Sequence, residues 1–139
     1  MNDLKRQIYD LIKRPHLTSL ATITEDGKPW VRYMSAVGGE NFTIRMSTFV
    51  SSRKVQQIKN DPEVHLTCGC SGLDDSNSYL QIQGLAELST SENERRAFWN
   101  DNLKAYFESP DNPAYGIIIV RPYRIELWGT APKPLVWEA

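Results

Sequence analysis

The chain has 139 residues, of which 16 are basic and 17 acidic, so its formal net charge is −1. This length predicts one domain over residues 1–139, with a core large enough to fold without disulfides or a metal. A nearly neutral chain lacks the basic surface that binding to nucleic acid or anionic lipid requires. With only two cysteines, no signal-peptide pattern and no long apolar stretch, the sequence predicts a cytoplasmic protein that is neither disulfide-rich nor membrane-bound.

The first half of the chain predicts a helix followed by an antiparallel meander. Apolar residues recur at helical spacing over residues 3–14, and Asn2 or Asp3 is a suitable N-cap. The pairs Asp26-Gly27 and Gly38-Gly39 are typical hairpin turns between β-type runs. The predicted strands of the meander are residues 17–24, 29–37 and 41–48.

The second half alternates between helical and strand patterns. Residues 51–60 predict a helix capped by Ser51 or Ser52, and residues 90–108 predict a second, longer helix with acidic residues in its first turn. Gly84 predicts a bulge or bend in a long strand. Residues 69–77 predict a polar loop, and residues 129–139 an extended tail. The predicted strands are residues 63–68, 78–88, 115–120 and 123–128.

These elements predict an α+β protein. Six or seven strands joined mainly by hairpins, with three helices and no strand–helix alternation of the parallel kind, favour a small antiparallel β-barrel with peripheral helices.

Residues 47–54 (STFVSSRK) are the most informative part of the sequence. They join a predicted strand to a predicted helix, and a helix start offers free backbone N–H groups and the positive end of the helix dipole. Two serine hydroxyls add donors, while Arg53 and Lys54 add positive charge. Arg32, on the neighbouring strand, is placed to converge on the same anion. The stretch therefore predicts an anion site, although a capped surface helix with solvated basic side chains is the plainer alternative.

Other patterns are less specific. Cys68 and Cys70 are two residues apart, the spacing that places both side chains on one face of a strand. His65 and His16 supply too few further ligands for a zinc site, so the two open interpretations are an ordinary pair of cysteines at a strand end and, as a weak signal, a C-x-C redox pair. The tryptophans are typical of core or interface packing, and Trp128 suits a rim position. Neither a Walker motif, a Ser-His-Asp order nor a glycosidase-type carboxylate pair is present.

Four stretches in a fixed order carry a resemblance to a known family. They are VRYM at 31–34, STFVSSRK at 47–54 with the Q-I-x-N-x-P-x-V pattern behind it, GLAELST at 84–90 and P-x-RIELWG at 122–129. Together they resemble the pyridoxamine 5'-phosphate oxidase-like, FMN-binding split-barrel family, especially its short branch of general stress protein 26-like proteins. The resemblance covers residues 17–129 and implies a homodimeric split barrel.

The resemblance also implies an FMN site at the interface of the homodimer. The side chains implied to hold the FMN phosphate are Arg32, Ser52, Arg53 and Lys54. The groups implied to flank the flavin ring and ribityl chain are Ser47, Thr48 and the backbone of Val31, Tyr33 and Met34. Two side chains would approach from the other subunit, namely Tyr79, where many relatives carry a glutamine, and Trp128.

Residues that bind substrate in the vitamin B6 oxidases of this family are missing. Their Arg-x-His pair corresponds to Pro134 and Val136, and a further flavin-contacting arginine aligns with Glu138. The substrate-phosphate arginine falls near Pro110, and only Tyr106 matches. The loss of these cations argues against oxidation of pyridoxamine phosphate, so the predicted phosphate site belongs to the cofactor.

The resemblance thus implies an FMN-dependent oxidoreductase that passes electrons through flavin N5 between a small-molecule donor, such as a reduced nicotinamide, and a small acceptor or oxygen. Two alternatives stay open: a non-catalytic, stress-related module that binds flavin, deazaflavin or haem, and a dimeric barrel with a degenerate site. The sequence identifies neither a catalytic residue, nor the substrate, nor a preference between NADH and NADPH.

Overall fold

The computed structural model describes residues 1–75 and 77–139. Six antiparallel strands close into a barrel in the order β3-β2-β1-β4-β5-β6, with β3 paired to β6, and a seventh strand lies beside β6. The strands are β1 (His16–Ile23), β2 (Pro29–Gly38), β3 (Ile44–Phe49), β4 (Glu63–Cys68), β5 (Tyr79–Ser89), β6 (Tyr115–Trp128) and β7 (Leu135–Glu138). The helices are α1 (Asp3–Ile12), α2 (Arg53–Asn60), α3 (Glu92–Phe98) and α4 (Lys104–Phe107), with short 3-10 turns at Leu73–Asp75 and Asp101–Leu103. The predicted α+β antiparallel barrel is confirmed.

Helix α1 packs directly on the barrel. The Asn2 side chain accepts a hydrogen bond from the Lys5 N–H at 2.8 Å, which caps the helix as predicted. Ile8 and Ile12 are fully buried. A Cβ atom on Gly38 of β2 would lie 2.5 Å from Ile12, so only glycine allows the helix and strand to approach this closely. Within the described residues, no helix is long and apolar enough to cross a membrane.

The barrel is split between β2 and β3. Strand β2 pairs with β1 along eight residue pairs, from His16↔Ala36 to Ile23↔Pro29. Its ladder with β3 holds only two pairs, Val37↔Arg45 and Gly38↔Ile44, because β3 turns away to pair with β6. Among the described residues, no strand therefore pairs with the other edge of β2, the one facing away from β1, over residues 29–36.

Strand β3 begins later than predicted. Residues 41–43 form a turn in which the Asn41 side chain accepts from the Thr43 N–H at 3.1 Å, and Phe42 has a positive φ of 69°. Phe42 is held there because it is buried and packs edge-on against Trp137, with ring centroids 5.1 Å apart.

The single helix predicted over residues 90–108 is wrong. Helix α3 ends at Phe98 because Trp99 adopts an extended backbone, and Asn100 starts the next turn by accepting from the Asn102 N–H at 3.0 Å. The Trp99 ring packs against Tyr115, with centroids 5.5 Å apart, which fixes the break. Asparagine competes with helix continuation in this way because its side chain satisfies nearby N–H groups.

The two strands predicted over 115–120 and 123–128 are one continuous strand, β6. Pro122 pairs with Gly84, and the register shifts between Gln83 and Gly84, which leaves Tyr123 as an extra residue. This bulge confirms the prediction for Gly84 and accommodates the missing N–H of the proline.

The two cysteines do not share a strand face. Strand β4 ends at Cys68, and Gly69 has a φ of +102°, so Cys68 is buried while Cys70 is exposed and both are free thiols. Among the described residues, no cluster of potential metal ligands occurs. The predicted loop 69–77 contains the short turn Leu73–Asp75, and its residue Ser76 lies outside the described residues.

Candidate functional site

Three basic side chains converge at the start of helix α2. Arg32 lies in β2 on the same face as its ladder partner Leu20, which points into the barrel, and Arg53 and Lys54 form the first turn of α2. We call Arg32, Arg53 and Lys54 the cation cluster. The convergence agrees with the sequence prediction for these residues.

Arg32 is held in place by hydrogen bonds to neutral groups. Its Nη1 donates to the Thr22 hydroxyl at 2.7 Å and to the carbonyl oxygens of Leu20 and Trp30, and its Nη2 donates to the Gln57 side chain at 3.2 Å. Thr22 and Gln57 are both buried. These partners orient the guanidinium without neutralising it, so its charge remains available to a ligand.

Among the described residues, the cation cluster has no acidic partner. Burial and the nearby Arg53 lower the pKa of Arg32, and burial and Arg32 lower the pKa of Lys54. The ion pairs formed among residues 1–75 and 77–139 include none of the three side chains. Like charges that are brought together without a counter-charge destabilise the empty site and favour a bound anion.

Hydroxyl groups surround the start of α2. The hydroxyls of Thr48 and Ser52 lie 3.1 Å apart, and Thr48 also donates to the carbonyl oxygen of Phe49. Ser52 occupies the N-cap position, but its side chain accepts no hydrogen bond from the helix. The predicted side-chain cap is therefore absent, because the Ser52 hydroxyl is paired with Thr48 instead.

Beside the cation cluster, a cleft of about 910 Å³ opens where β2 and β3 separate. Of the predicted site residues, Tyr33, Met34, Ser47, Thr48 and Lys54 line it. Its volume lies in the ~300–1,000 Å³ range that is typical of small-molecule sites.

A further side of the cleft was not predicted from the sequence, apart from the match of Tyr106 to a substrate-phosphate position. It is formed by the broken helical segment, which we call the α3–α4 wall. The residues of this wall that line the cleft are Ala97, Phe98, Asn100, Asp101, Asn102, Leu103, Tyr106 and Phe107. The signal that was available is Asn100 after Trp99, an N-cap residue inside an apparently helical run.

Arg53 contacts an aromatic ring outside the cleft. Its guanidinium lies 5.2 Å from the centroid of the Trp30 ring, at cation–π distance. Trp30 is about half exposed, so the ring holds Arg53 at the surface end of the cluster.

Tyr79 and Trp128 do not join the cleft of their own chain. They are paired on the outer face of β5 and β6, where Trp128 Nε1 donates to Glu126 at 3.0 Å. Three strand spacings, roughly 14 Å along the sheet, separate β5 from β2. Val31 and Tyr33 point to the same outer face, and their side chains are 65% and 77% exposed.

This chain matches one family of known proteins. The family model described as pyridoxamine 5'-phosphate oxidase matches residues 4–129. General stress protein 26 of Bacillus subtilis (strain 168) is 30% identical over 133 residues, which cover 94% of this chain and 92% of that protein.

Solved structures share the fold. General stress protein 26 from Bacillus anthracis str. Sterne superposes with a TM-score of 0.85 and 28% identity, covering 99% of this chain and 100% of that one. A protein named F420 reductase has a TM-score of 0.65 and 27% identity, with coverage of 84% and 93%. A pyridoxamine 5'-phosphate oxidase-related, FMN binding protein from Nostoc punctiforme PCC 73102 has a TM-score of 0.68 and 15% identity, with coverage of 87% and 78%. The last of these shows likeness of fold alone.

Proposed function

This chain belongs to the pyridoxamine 5'-phosphate oxidase family, and we propose that it binds FMN and acts as a small-molecule oxidoreductase. The observation that carries the proposal is the cation cluster at the edge of the cleft, three positive charges without an acidic partner among the described residues. A dianionic phosphate supplies the missing counter-charge, and the cleft beside the cluster has the volume of a small-molecule site.

In this proposal, each predicted residue has a physical role. The phosphate is held by the cation cluster and the hydroxyl of Ser52, with Thr22 and Gln57 orienting Arg32 from behind. Ser47 and Thr48 line the cleft beside the flavin and ribityl chain. The free edge of β2 over residues 29–36 presents the backbone groups of every second residue, either Val31 and Tyr33 or Met34, to polar atoms of the ring. When bound, FMN supplies the two-electron chemistry, and the protein contributes binding, orientation and electrostatics.

The proposed substrate is not pyridoxamine phosphate. The positions that resemble the substrate-binding pair of the vitamin B6 oxidases are Pro134 and Val136, next to and within β7, and neither side chain carries charge. Glu138 lies 3.6 Å from Arg124 and adds negative charge. The carbonyl oxygen of Pro110 accepts a hydrogen bond from the Arg95 guanidinium. Pro110, Pro134, Val136 and Glu138 carry no positive charge, so the chain lacks the cations with which the vitamin B6 oxidases bind a substrate phosphate.

We also propose a homodimer formed through the outer face of β1 and β2. Leu17, Val31 and Tyr33 are each more than 60% exposed on this face. Their outward neighbours Ser19 and Ser35 are uncharged, so the patch is apolar enough to bind a second copy. A dimer would bring Tyr79 and Trp128 of one subunit to the cleft of the other, which one chain alone does not achieve.

The dimer is tested by sedimentation of the Leu17→Glu variant. We expect the unaltered protein to sediment as a dimer and the variant as a monomer with weaker FMN binding, since a buried unpaired carboxylate destabilises an interface. Leu73→Glu, at an exposed loop position, is the matched control. A monomeric unaltered protein that still binds FMN would refute the dimer.

The cofactor and the activity are tested separately. Purified protein titrated with FMN is expected to show saturable binding and flavin absorbance near 450 nm, and the loaded protein is expected to oxidise a reduced nicotinamide in air. Failure to bind FMN would refute the main proposal. A second candidate is a deazaflavin, favoured by the 27% identity to a protein named F420 reductase. If the protein binds a deazaflavin in preference to FMN, or shows the intense absorbance band of a haem, that cofactor takes the place of FMN in the proposal. FMN binding without turnover would favour the non-catalytic alternative.

A further inference from the structure

The α3–α4 wall presents aromatic rings to the cleft. Tyr106 is 65% exposed and Phe49, at the end of β3, is 43% exposed. Both rings rest on the buried ring of Phe107, at centroid distances of 6.3 Å and 4.6 Å. Exposed rings that are supported from behind form a rigid apolar surface for stacking against a planar molecule.

The cleft-lining part of this wall is also poor in positive charge. Among the residues described there, Asp101 is the one ionisable side chain apart from the tyrosine, and Asn100 and Asn102 are neutral amides.

The basic side chains of this segment are directed elsewhere. Arg95 donates to the carbonyl oxygens of residues 110 and 112, and Arg96 pairs with Glu92 and Asp111. Lys104 lies 3.6 Å from Asp101. An anion that entered this end of the cleft would meet a carboxylate and apolar rings without a free counter-charge, which opposes binding.

The cleft therefore combines two chemistries. Lys54 is the member of the cation cluster that lines it, whereas the α3–α4 wall contributes aromatic rings and, within the described residues, no cation. Resting on the proposed FMN site, we infer that the α3–α4 wall binds the second reactant, and that this reactant is an uncharged aromatic molecule rather than a phosphorylated or carboxylated one. The bound dianionic phosphate offsets two of the three positive charges of the cation cluster, so the cluster attracts a second anion only weakly.

The test compares two probes that differ by one sulfonate, 2-naphthol and 6-hydroxynaphthalene-2-sulfonate, neither of which reacts with the exposed thiol of Cys70. Equilibrium dialysis against the FMN-saturated protein measures both dissociation constants without reference to turnover. We expect the uncharged probe to bind at least tenfold more tightly than the sulfonate. Equal affinity, or tighter binding of the sulfonate, would overturn the inference.

Two variants locate the binding to this wall. Tyr106→Ala is expected to weaken the uncharged probe by about threefold to tenfold through the lost ring contact. Asn102→Arg is expected to strengthen the sulfonate about tenfold. Tyr123→Ala, an exposed tyrosine on β6 away from the cleft, is the matched control and should leave both probes unchanged.

FMN affinity, measured in the same samples, separates this inference from the proposed function. Neither wall variant should change FMN affinity, since neither residue touches the cation cluster. Intact FMN binding with no effect of Tyr106→Ala would overturn the inference alone. An unaltered protein that binds no FMN would overturn the proposed function, and with it the inference.

Discussion

Replacing Lys54 with methionine is the sharpest test of the phosphate site. Methionine keeps an unbranched side chain of similar length and removes the charge. Lys54 lines the cleft in the first turn of α2 and forms no ion pair among the described residues. The substitution therefore removes the proposed ligand contact without breaking an ion pair among the described residues.

The expected magnitude follows from one lost hydrogen bond to a charged group. Such a bond contributes ~1.5–3 kcal/mol, so the FMN dissociation constant should rise by about tenfold to 150-fold. Arg32→Ala should weaken FMN binding similarly, but it would also leave the buried polar groups of Thr22 and Gln57 with fewer partners. Lys54→Met is free of that complication.

The same substitution should stabilise the protein without ligand. Burial and Arg32 lower the pKa of Lys54 below its ordinary 10.5. The folded state therefore binds this proton less tightly than the unfolded state, and below the folded pKa the charge costs stability. That cost is present at pH 7, so removing the charge should raise the free energy of unfolding of the FMN-free protein. Opposite effects on ligand affinity and stability are the signature of a binding site.

Two measurements check this prediction. Titration by quenching of FMN fluorescence gives the dissociation constant, and circular dichroism during heating gives the stability of the FMN-free protein. Lys59→Met, at the exposed end of the same helix, is the control and should leave FMN affinity unchanged. If the FMN affinity of Lys54→Met lies within twofold of the affinity of the unaltered protein, the phosphate does not bind at the cation cluster.

Three further predictions concern stability and reactivity. Gly84→Ala should lower the free energy of unfolding in urea by ~1–3 kcal/mol because its Cβ would lie 3.0 Å from a β6 carbonyl oxygen. Gly72→Ala, whose Cβ would have nothing within 4 Å, is the control. An equal loss of stability in the two variants would contradict the role of Gly84 in the bulge. A hydrogen bond from an arginine on β3 lowers the pKa of Glu94 below 4.5, so this pair stabilises the fold at neutral pH. The loss of unfolding free energy caused by Glu94→Gln should therefore shrink as the pH falls below 4.5. A loss in urea unfolding that does not change with pH would refute this prediction. Burial raises the pKa of Cys68 to about 11, so iodoacetamide at pH 8 should label Cys70 alone in the native protein and both thiols in urea, as mass spectrometry would show.

The sequence by itself determined the features that depend on local chain chemistry. The turn pairs at 26–27 and 38–39 and the alternating runs between them predicted the β1–β2–β3 meander, because glycine turns and period-2 patterns act over a few residues. The same is true of the basic start of α2, where Arg53 and Lys54 follow the strand directly. The family resemblance then added the role of that site.

Only the tertiary structure decided the rest, because the deciding contacts join distant parts of the chain. Asn100 ends a helix that periodicity alone would continue, and Trp99 holds the break by packing on Tyr115. Pro122 stays within one strand because Gly84 provides a bulge opposite it. The α3–α4 wall and the orientation of Arg32 by Gln57, 25 residues away, arise in the same manner. The nearly balanced charge of the chain thus conceals an unbalanced cluster, which forms only when the barrel brings β2 and α2 together.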